Sequence, residues 1–90
     1  MTKIIKKDNE LKIVKTCDEF LYKETLYVNG TKTAYYEQYF AEEDGKEPVP
    51  TSIFYCWSSD DNFTNPVAIV NSYDKAKDFL SKIVLKYLDM

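Results

Sequence analysis

The chain has 90 residues, which is enough for a single folded domain with one core, residues 1–90. Its twelve cationic residues are all lysine, and fifteen Asp and Glu residues bring the formal net charge to −3. Histidine and arginine are absent, so the chain lacks the usual general base, the usual zinc ligand and the side chain that binds phosphate bidentately. We therefore expect a protein that is not an enzyme and that holds neither a metal ion nor a cofactor.

Residue usage also bears on source and location. Residues with AT-rich codons are common, and the chain has only 2 Gly and 3 Pro, a bias typical of a low-GC bacterium or its phage. Lys3, Lys6 and Lys7 make the first residues basic, but no apolar run long enough for a signal peptide or a membrane span follows. We expect a cytoplasmic protein with no membrane partner, in which Cys17 and Cys56 are reduced.

The first elements along the chain are predicted to be strands. Residues 3–7 and Leu11–Thr16 are predicted to be two short strands around a polar turn at residues 8–10. Asp18 and Glu19 suit a helix start, and they allow a local helical turn over Cys17–Tyr22.

Asn29-Gly30 is the strongest local signal, because both residues tolerate the positive φ that a type I′ hairpin turn requires. A two-residue loop pairs Val28 with Thr31, and counting outward gives the rest of the register. The count pairs Tyr27 with Lys32, Leu26 with Thr33, Glu24 with Tyr35, Lys23 with Tyr36 and Phe20 with Tyr39.

Side chains alternate between the two faces of such a hairpin. The predicted core face carries Phe20, Tyr22, Leu26, Val28, Tyr35 and Tyr39. The predicted solvent face carries Lys23, Thr25, Tyr27, Lys32, Ala34, Tyr36 and Gln38. A slip of one residue would exchange the two sets.

The second half of the chain begins with an acidic turn at residues 42–47. Residues 48–50 contain two prolines that stiffen the approach to Ser52–Trp57, which is apolar on both faces and is predicted to be a central strand. Residues 58–66 form a polar loop, and residues 67–70 are either a short strand or the lead-in to a helix.

The last element is predicted to be an amphipathic helix that Asn71 or Ser72 caps. An ion pair between Asp78 and Lys82 is expected one turn apart. The apolar stripe consists of Tyr73, Ala76, Phe79, Leu80, Ile83, Val84, Tyr87 and Leu88. The predicted class is α+β: an antiparallel sheet of about four to five strands with one C-terminal helix packed across one face.

Two groups of residues are candidates for partner binding. The acidic group consists of Glu42, Glu43, Asp44 and Glu47 in one loop and Asp60 and Asp61 in another. The aromatic group consists of Tyr27 and Tyr36, which share the predicted solvent face with Lys23 and Lys32.

The leading hypothesis is a small protein-binding module, in its sharpest form an inhibitor encoded by a phage or mobile element. Its acidic and tyrosine-bearing surface would dock on a host protein with a basic groove, such as a defence or nucleic-acid-processing protein. The alternative is a nucleic-acid-binding or antitoxin-like, transcription-linked regulator that uses the lysine and tyrosine sheet face. The negative net charge and the missing arginine weigh against nucleic acid as a partner. The sequence leaves open whether the chain is a monomer or a homodimer.

Overall fold

The structure is a computed structural model that describes residues 9–18 and 21–88. The elements are β1 (Leu11–Asp18), β2 (Leu21–Val28), β3 (Thr31–Ala41), β4 (Val49–Ser58), a 3₁₀ turn (Ser59–Asp61), β5 (Ala68–Val70) and α1 (Tyr73–Leu88). The strands form one antiparallel sheet in the order β1-β2-β3-β4-β5, and α1 packs across one face against β3 and β4. The predicted α+β class, with one helix on an antiparallel sheet, is confirmed.

The predictions for the first elements have different outcomes. The strand predicted at residues 3–7 lies outside the described residues, and the one predicted at Leu11–Thr16 is β1. The helical turn allowed over Cys17–Tyr22 is wrong, because Cys17 lies in β1 and pairs with Tyr22 in β2. The antiparallel pairing of the two segments therefore prevails over the local helix-start signal.

The β2–β3 hairpin has the predicted turn but a different register beyond it. Asn29 and Gly30 have φ values of 52° and 80°, and Tyr27 pairs with Lys32 as predicted. A bulge then adds Thr33 to β3, so that Ala34, and not Thr33, lies opposite Leu26.

The bulge exchanges the two faces of β3 relative to the prediction. Glu24 pairs with Tyr36 and Thr25 pairs with Tyr35, whereas counting from the turn pairs Glu24 with Tyr35. Tyr36 therefore turns toward α1 and is fully buried, while Tyr35 turns to the opposite face. The predicted faces are therefore wrong for the β3 residues beyond the bulge, whereas Lys32, before it, lies on the predicted face. The predicted pair of Phe20 with Tyr39 involves a residue outside the described part.

The core lies between α1 and the middle strands. Its buried members are Leu26, Val28, Ala34, Tyr36, Phe54, Cys56, Ala76 and Leu80. Phe54 and Cys56 come from β4, whose other side chains, Tyr55 and Trp57, point to the face without the helix. Burying a large apolar side chain contributes roughly 1.5–3 kcal/mol, so this cluster supplies much of the folding free energy.

The helix begins and is fixed as its sequence predicts. The Ser72 hydroxyl accepts a hydrogen bond from the Lys75 backbone N–H at 3.2 Å, and Asp78 Oδ2 lies 3.0 Å from Lys82 Nζ. At the other end, the Asn9 side-chain amide donates to the Tyr87 carbonyl at 2.9 Å. Within residues 9–18 and 21–88, no helix is long and apolar enough to cross a membrane.

The inner strands β3 and β4 extend beyond their neighbours. Among residues 9–18 and 21–88, β2 pairs with β3 as far as Glu37, and β5 pairs with β4 only across Phe54–Cys56. Residues 38–53 therefore form a two-stranded extension, which we call the arm. The Tyr73 ring, at the start of α1, packs on Phe54, and the helix runs from there toward Asn9, away from the arm.

Candidate partner-binding surfaces

The tip of the arm carries the acidic residues that the sequence singles out. Glu42, Glu43, Asp44 and Glu47 are all exposed. Lys46 Nζ lies 3.2 Å from Glu43 Oε2, but both side chains are more than two-thirds exposed, so this ion pair contributes at most about 1 kcal/mol. The tip therefore presents carboxylates to solvent with little internal neutralisation.

Charge is distributed unevenly between the arm and the rest of the chain. Residues 38–53 contain four carboxylates and one lysine, a net charge of −3 that equals the net charge of the whole chain. The remaining residues carry eleven charges of each sign. The arm is thus the one segment responsible for the acidic character of the protein.

Polar side chains fix the arm where β4 bulges against β3. Gln38 Nε2 donates to the Thr51 carbonyl at 2.7 Å, and the Thr51 hydroxyl donates to the Tyr39 carbonyl at 2.8 Å. The same hydroxyl accepts from the Ile53 N–H at 3.1 Å. Tyr39 is 42% exposed and meets Tyr55 edge to face at 5.8 Å between ring centroids. An aromatic contact surface therefore adjoins the acidic tip.

Asp60 and Asp61 do not join this acidic surface. They are exposed in the 3₁₀ turn that follows β4, whereas the arm tip precedes β4. The ten residues of β4 span roughly 33 Å at about 3.3 Å per residue. The two acidic loops therefore lie at opposite ends of the sheet and cannot contact the same small groove together.

A second cluster lies on the sheet face away from α1, which we call the open face. The Tyr35 ring stacks on Trp57 and Phe63, with centroid distances of 5.7 and 5.5 Å. Lys23 Nζ and Lys32 Nζ lie 4.1 and 4.4 Å from the centre of the same ring. We call these five residues the lysine–aromatic cluster.

The cluster shows two signs of local constraint. Phe63 has a φ of 58°, a left-handed conformation that is uncommon for a bulky side chain and costs on the order of 1–3 kcal/mol. Burial lowers the pKa of Lys23, the nearby Lys32 ammonium lowers it further, and Glu37 partly opposes both effects. Burial also raises the pKa of the Tyr35 phenol, with a smaller contribution from Glu37. The two ammonium groups thus repel each other over one shared ring.

The two predicted aromatic candidates are separated by the sheet. Tyr27 is half-buried on the open face, opposite Lys32. Tyr36 is fully buried under α1, so its placement on the same face as Tyr27 is wrong, because of the Thr33 bulge. The sequence reasoning missed Tyr35 and Phe63 as cluster members. The signal for Phe63 was its position as the one aromatic residue in an otherwise polar loop.

The two cysteines of the chain differ in exposure. Cys56 is buried, and burial raises the pKa of its thiol to about 11, so it stays protonated at neutral pH and is a poor nucleophile. Cys17 is exposed. Across the described part of the chain, His, Cys, Asp and Glu side chains form no cluster of three that could hold a metal ion.

Comparisons with known proteins give no family. No protein-family model matches the chain, and neither a curated protein nor a solved structure matches it. The function must therefore be argued from the two surfaces themselves, the acidic arm and the open face.

Proposed function

We propose that the chain is a small, non-enzymatic protein-binding domain that docks the tip of its arm on a basic groove of a partner protein. The observation that carries this proposal is the location of the charge. The net charge of the chain is the net charge of residues 38–53, and these residues extend past the part of the sheet that α1 covers. A projecting acidic tip can enter a groove that the flat sheet could not.

In its sharpest form, the partner is a host defence or nucleic-acid-processing protein, and the chain is an inhibitor encoded by a phage or mobile element. Proteins that bind nucleic acid carry lysine- and arginine-lined grooves for the phosphates, and these grooves attract carboxylates as well. The AT-rich residue usage fits such a source. Four carboxylates at one tip would occupy only a short part of such a groove, since duplex DNA carries one charge per roughly 1.7 Å.

The nucleic-acid-binding alternative has weaker support. It needs an aromatic ring with a free face on which a base can stack. Tyr35 is only 9% exposed, and its neighbours Trp57, Phe63 and two lysines surround the ring. Tyr36, the residue first considered for this role, lies in the core.

The test compares two variants that lose the same number of carboxylates. The tip variant is Glu42→Gln, Glu43→Gln and Asp44→Asn. The control variant is Asp60→Asn, Asp61→Asn and Asp74→Asn, all exposed and outside the arm. Proteins captured from a low-GC bacterial lysate by the unchanged chain are purified and titrated against both variants by calorimetry.

We expect the tip variant to bind about 10–100-fold more weakly, at roughly 0.5–1 kcal/mol per lost carboxylate, and the control to bind like the unchanged chain. Binding of the unchanged chain should also weaken as salt is added. Equal affinity of the two variants would contradict the role of the arm. An anisotropy titration with labelled single-stranded DNA, using Tyr35→Ala, checks the alternative.

A further inference from the structure

Lys23 and Lys32 place two ammonium groups over the Tyr35 ring, and among the described residues neither forms an ion pair. Within residues 9–18 and 21–88, the ion pairs are Lys15–Glu24, Lys46–Glu43 and Lys82–Asp78. Burial and repulsion from Lys32 disfavour the charge on Lys23, and the Glu37 carboxylate, opposite Lys23 on β3, offsets them only in part. A carboxylate brought to this point would relieve the repulsion, so the lysine pair is suited to an acidic segment.

The acidic tip of the same chain cannot reach these lysines. Lys32 lies at the first end of β3, and Glu42 follows its last residue, Ala41. The nine steps from Lys32 to Ala41 span roughly 30 Å at about 3.3 Å each, which is several times the length of a lysine side chain. Lys23 is nearer to the tip, opposite Glu37 at the root of the arm, but its ammonium group lies over Tyr35, six residues before Ala41. Within one chain, the tip carboxylates therefore stay roughly 20 Å along the strand from the ring that carries both ammonium groups.

We propose that a second copy of the chain packs its open face on the open face of the first. The twofold axis lies between the two sheets and is perpendicular to the strands. This arrangement reverses the strand direction, so each acidic tip lies over Lys23 and Lys32 of the other copy. The contact between an acidic tip and a lysine pair therefore forms twice, as twofold symmetry requires of an interface that uses the same patch on each copy.

Apolar groups on the open face support the same arrangement. Tyr39 is 42% exposed and Ile69 is 62% exposed, and Tyr55 lies half-buried between them. Along β3, Tyr39 lies midway between Tyr35 and Glu43. When each tip covers the lysine pair of the other copy, the Tyr39 rings of the two copies therefore lie near the twofold axis and face each other, with Tyr55 beside them. Sheets that pack face to face lie about 10 Å apart and interdigitate such side chains, and large aromatic residues are frequent anchors of interfaces.

The dimer and the proposed function use the same carboxylates. A partner with a basic groove would compete with the second copy for Glu42, Glu43, Asp44 and Glu47, so partner binding would dissociate the dimer. The dimer inference does not depend on such a partner, because it is tested with the purified chain alone.

The test is sedimentation velocity on the purified chain over a range of concentrations at low salt, with exchanged charges. Glu42→Lys with Glu43→Lys makes the tip basic, and Lys23→Glu with Lys32→Glu makes the open face acidic. The control is Lys75→Glu with Lys86→Glu, two exposed lysines on α1, which changes the net charge by the same amount and sign as the open-face variant.

We expect the unchanged chain and the helix control to sediment as dimers that dissociate as salt is added. Each open-face or tip variant alone should dissociate about tenfold or more readily. An equimolar mixture of those two variants should recover a mixed dimer, because each tip then meets an open face of opposite charge. Recovery in the mixture also shows that both variants are folded.

Three results would overturn the proposal. The unchanged chain could stay monomeric at every concentration, the dimer could tolerate both exchanges, or the mixture could fail to associate although circular dichroism shows each variant folded. Salt-sensitive binding of single-stranded DNA by a monomer, lost on Lys23→Glu with Lys32→Glu, would assign the lysine pair to nucleic acid instead.

Discussion

The two halves of the β3–β4 hairpin differ in how they are held. The covered half, where β4 runs from Phe54 to Ser58, packs under α1 and contributes Tyr36 and Cys56, which are fully buried. In the arm, residues 38–53, no residue is buried. The same pair of strands thus passes from the core of the domain into a segment that makes no core contacts.

This difference separates stability from recognition. A two-stranded hairpin is marginally stable by itself in water, so the arm depends on the covered half to hold its strands together. The arm in turn contributes charge and exposed tyrosine rather than buried apolar area. Substitutions in the covered half should therefore change the free energy of unfolding, whereas substitutions in the arm should change partner binding.

The largest expected effect is the loss of a core side chain. Leu26→Ala removes a fully buried side chain and leaves a cavity, which should lower the free energy of unfolding by about 2–5 kcal/mol. Tyr39→Ala in the arm should lower it by less than about 1 kcal/mol, because the ring is 42% exposed. Urea denaturation followed by circular dichroism measures both values. Similar losses for the two variants would show that the arm belongs to the cooperative core.

The second effect is a loss of stability at alkaline pH that comes from the covered half. Burial raises the pKa of the Cys56 thiol from its ordinary 9.0 to about 11. The folded protein therefore keeps a proton that the unfolded chain releases, so the free energy of unfolding falls as pH rises from about 9 to 11, by at most about 2–3 kcal/mol.

Denaturation midpoints at several pH values, compared between two variants, isolate this contribution. Cys56→Ala should flatten the fall between pH 9 and 11, whatever its own cost in stability. Cys17→Ala, which changes an exposed thiol, should leave the fall unchanged. Burial also raises the pKa values of the Tyr22 and Tyr35 phenols. Above pH 10 these phenols therefore also lower the free energy of unfolding, and they do so in the unchanged chain and in both cysteine variants. If the free energy of unfolding falls equally between pH 9 and 11 with and without Cys56, the Cys56 thiol is not the cause of the fall.

Local sequence patterns predicted three elements of the domain correctly. The Asn29-Gly30 turn, the apolar strand Ser52–Trp57 and the stripe on α1 each depend on neighbours in sequence, and all three are present. The face of Tyr36 could not be predicted, because one extra residue in a bulge reverses all later side chains of a strand. Thr33 is an ordinary strand residue, and its sequence gives no sign of the bulge.

The arm and the lysine–aromatic cluster were less accessible to sequence reasoning for another reason. An extension exists only where neighbouring strands are shorter, and the ends of β2 and β5 are set by pairing partners distant in sequence. The acidic residues at 42–47 were recognised as one loop. These residues are separated from Asp60 and Asp61 by the full length of β4. The length and direction of that strand cannot be read from the composition of the two loops.

Two glycines provide a matched comparison of the arm with the rest of the domain. Gly30 and Gly45 have φ values of 80° and 77°, and a Cβ atom at either would meet no other atom within 4 Å. Alanine therefore introduces only backbone strain, of about 1 kcal/mol, at both positions. Gly30→Ala should lower the global free energy of unfolding by that amount. Gly45→Ala should lower it less, because the tip can fray while the core stays folded.

Hydrogen exchange of the arm amides distinguishes the two glycine variants further. Gly45→Ala should speed exchange at residues 38–53 and leave the amides of β2 unchanged. Equal global losses for Gly30→Ala and Gly45→Ala would mean that the tip and the core unfold together.

The smallest expected effect on stability comes from neutralising the arm tip. Glu42→Gln, Glu43→Gln and Asp44→Asn change exposed side chains that make no core contact, so the free energy of unfolding should stay within about 0.5 kcal/mol. Any change should be a gain, because mutual repulsion at the tip is reduced. Urea denaturation at low salt measures it. A large loss would mean that the tip carboxylates hold the fold, and weaker partner binding by this variant would then reflect unfolding. If the tip variant has an unchanged denaturation midpoint but has lost partner binding, the tip carboxylates act in recognition, because the substitutions then remove the contact with the partner while the domain stays folded.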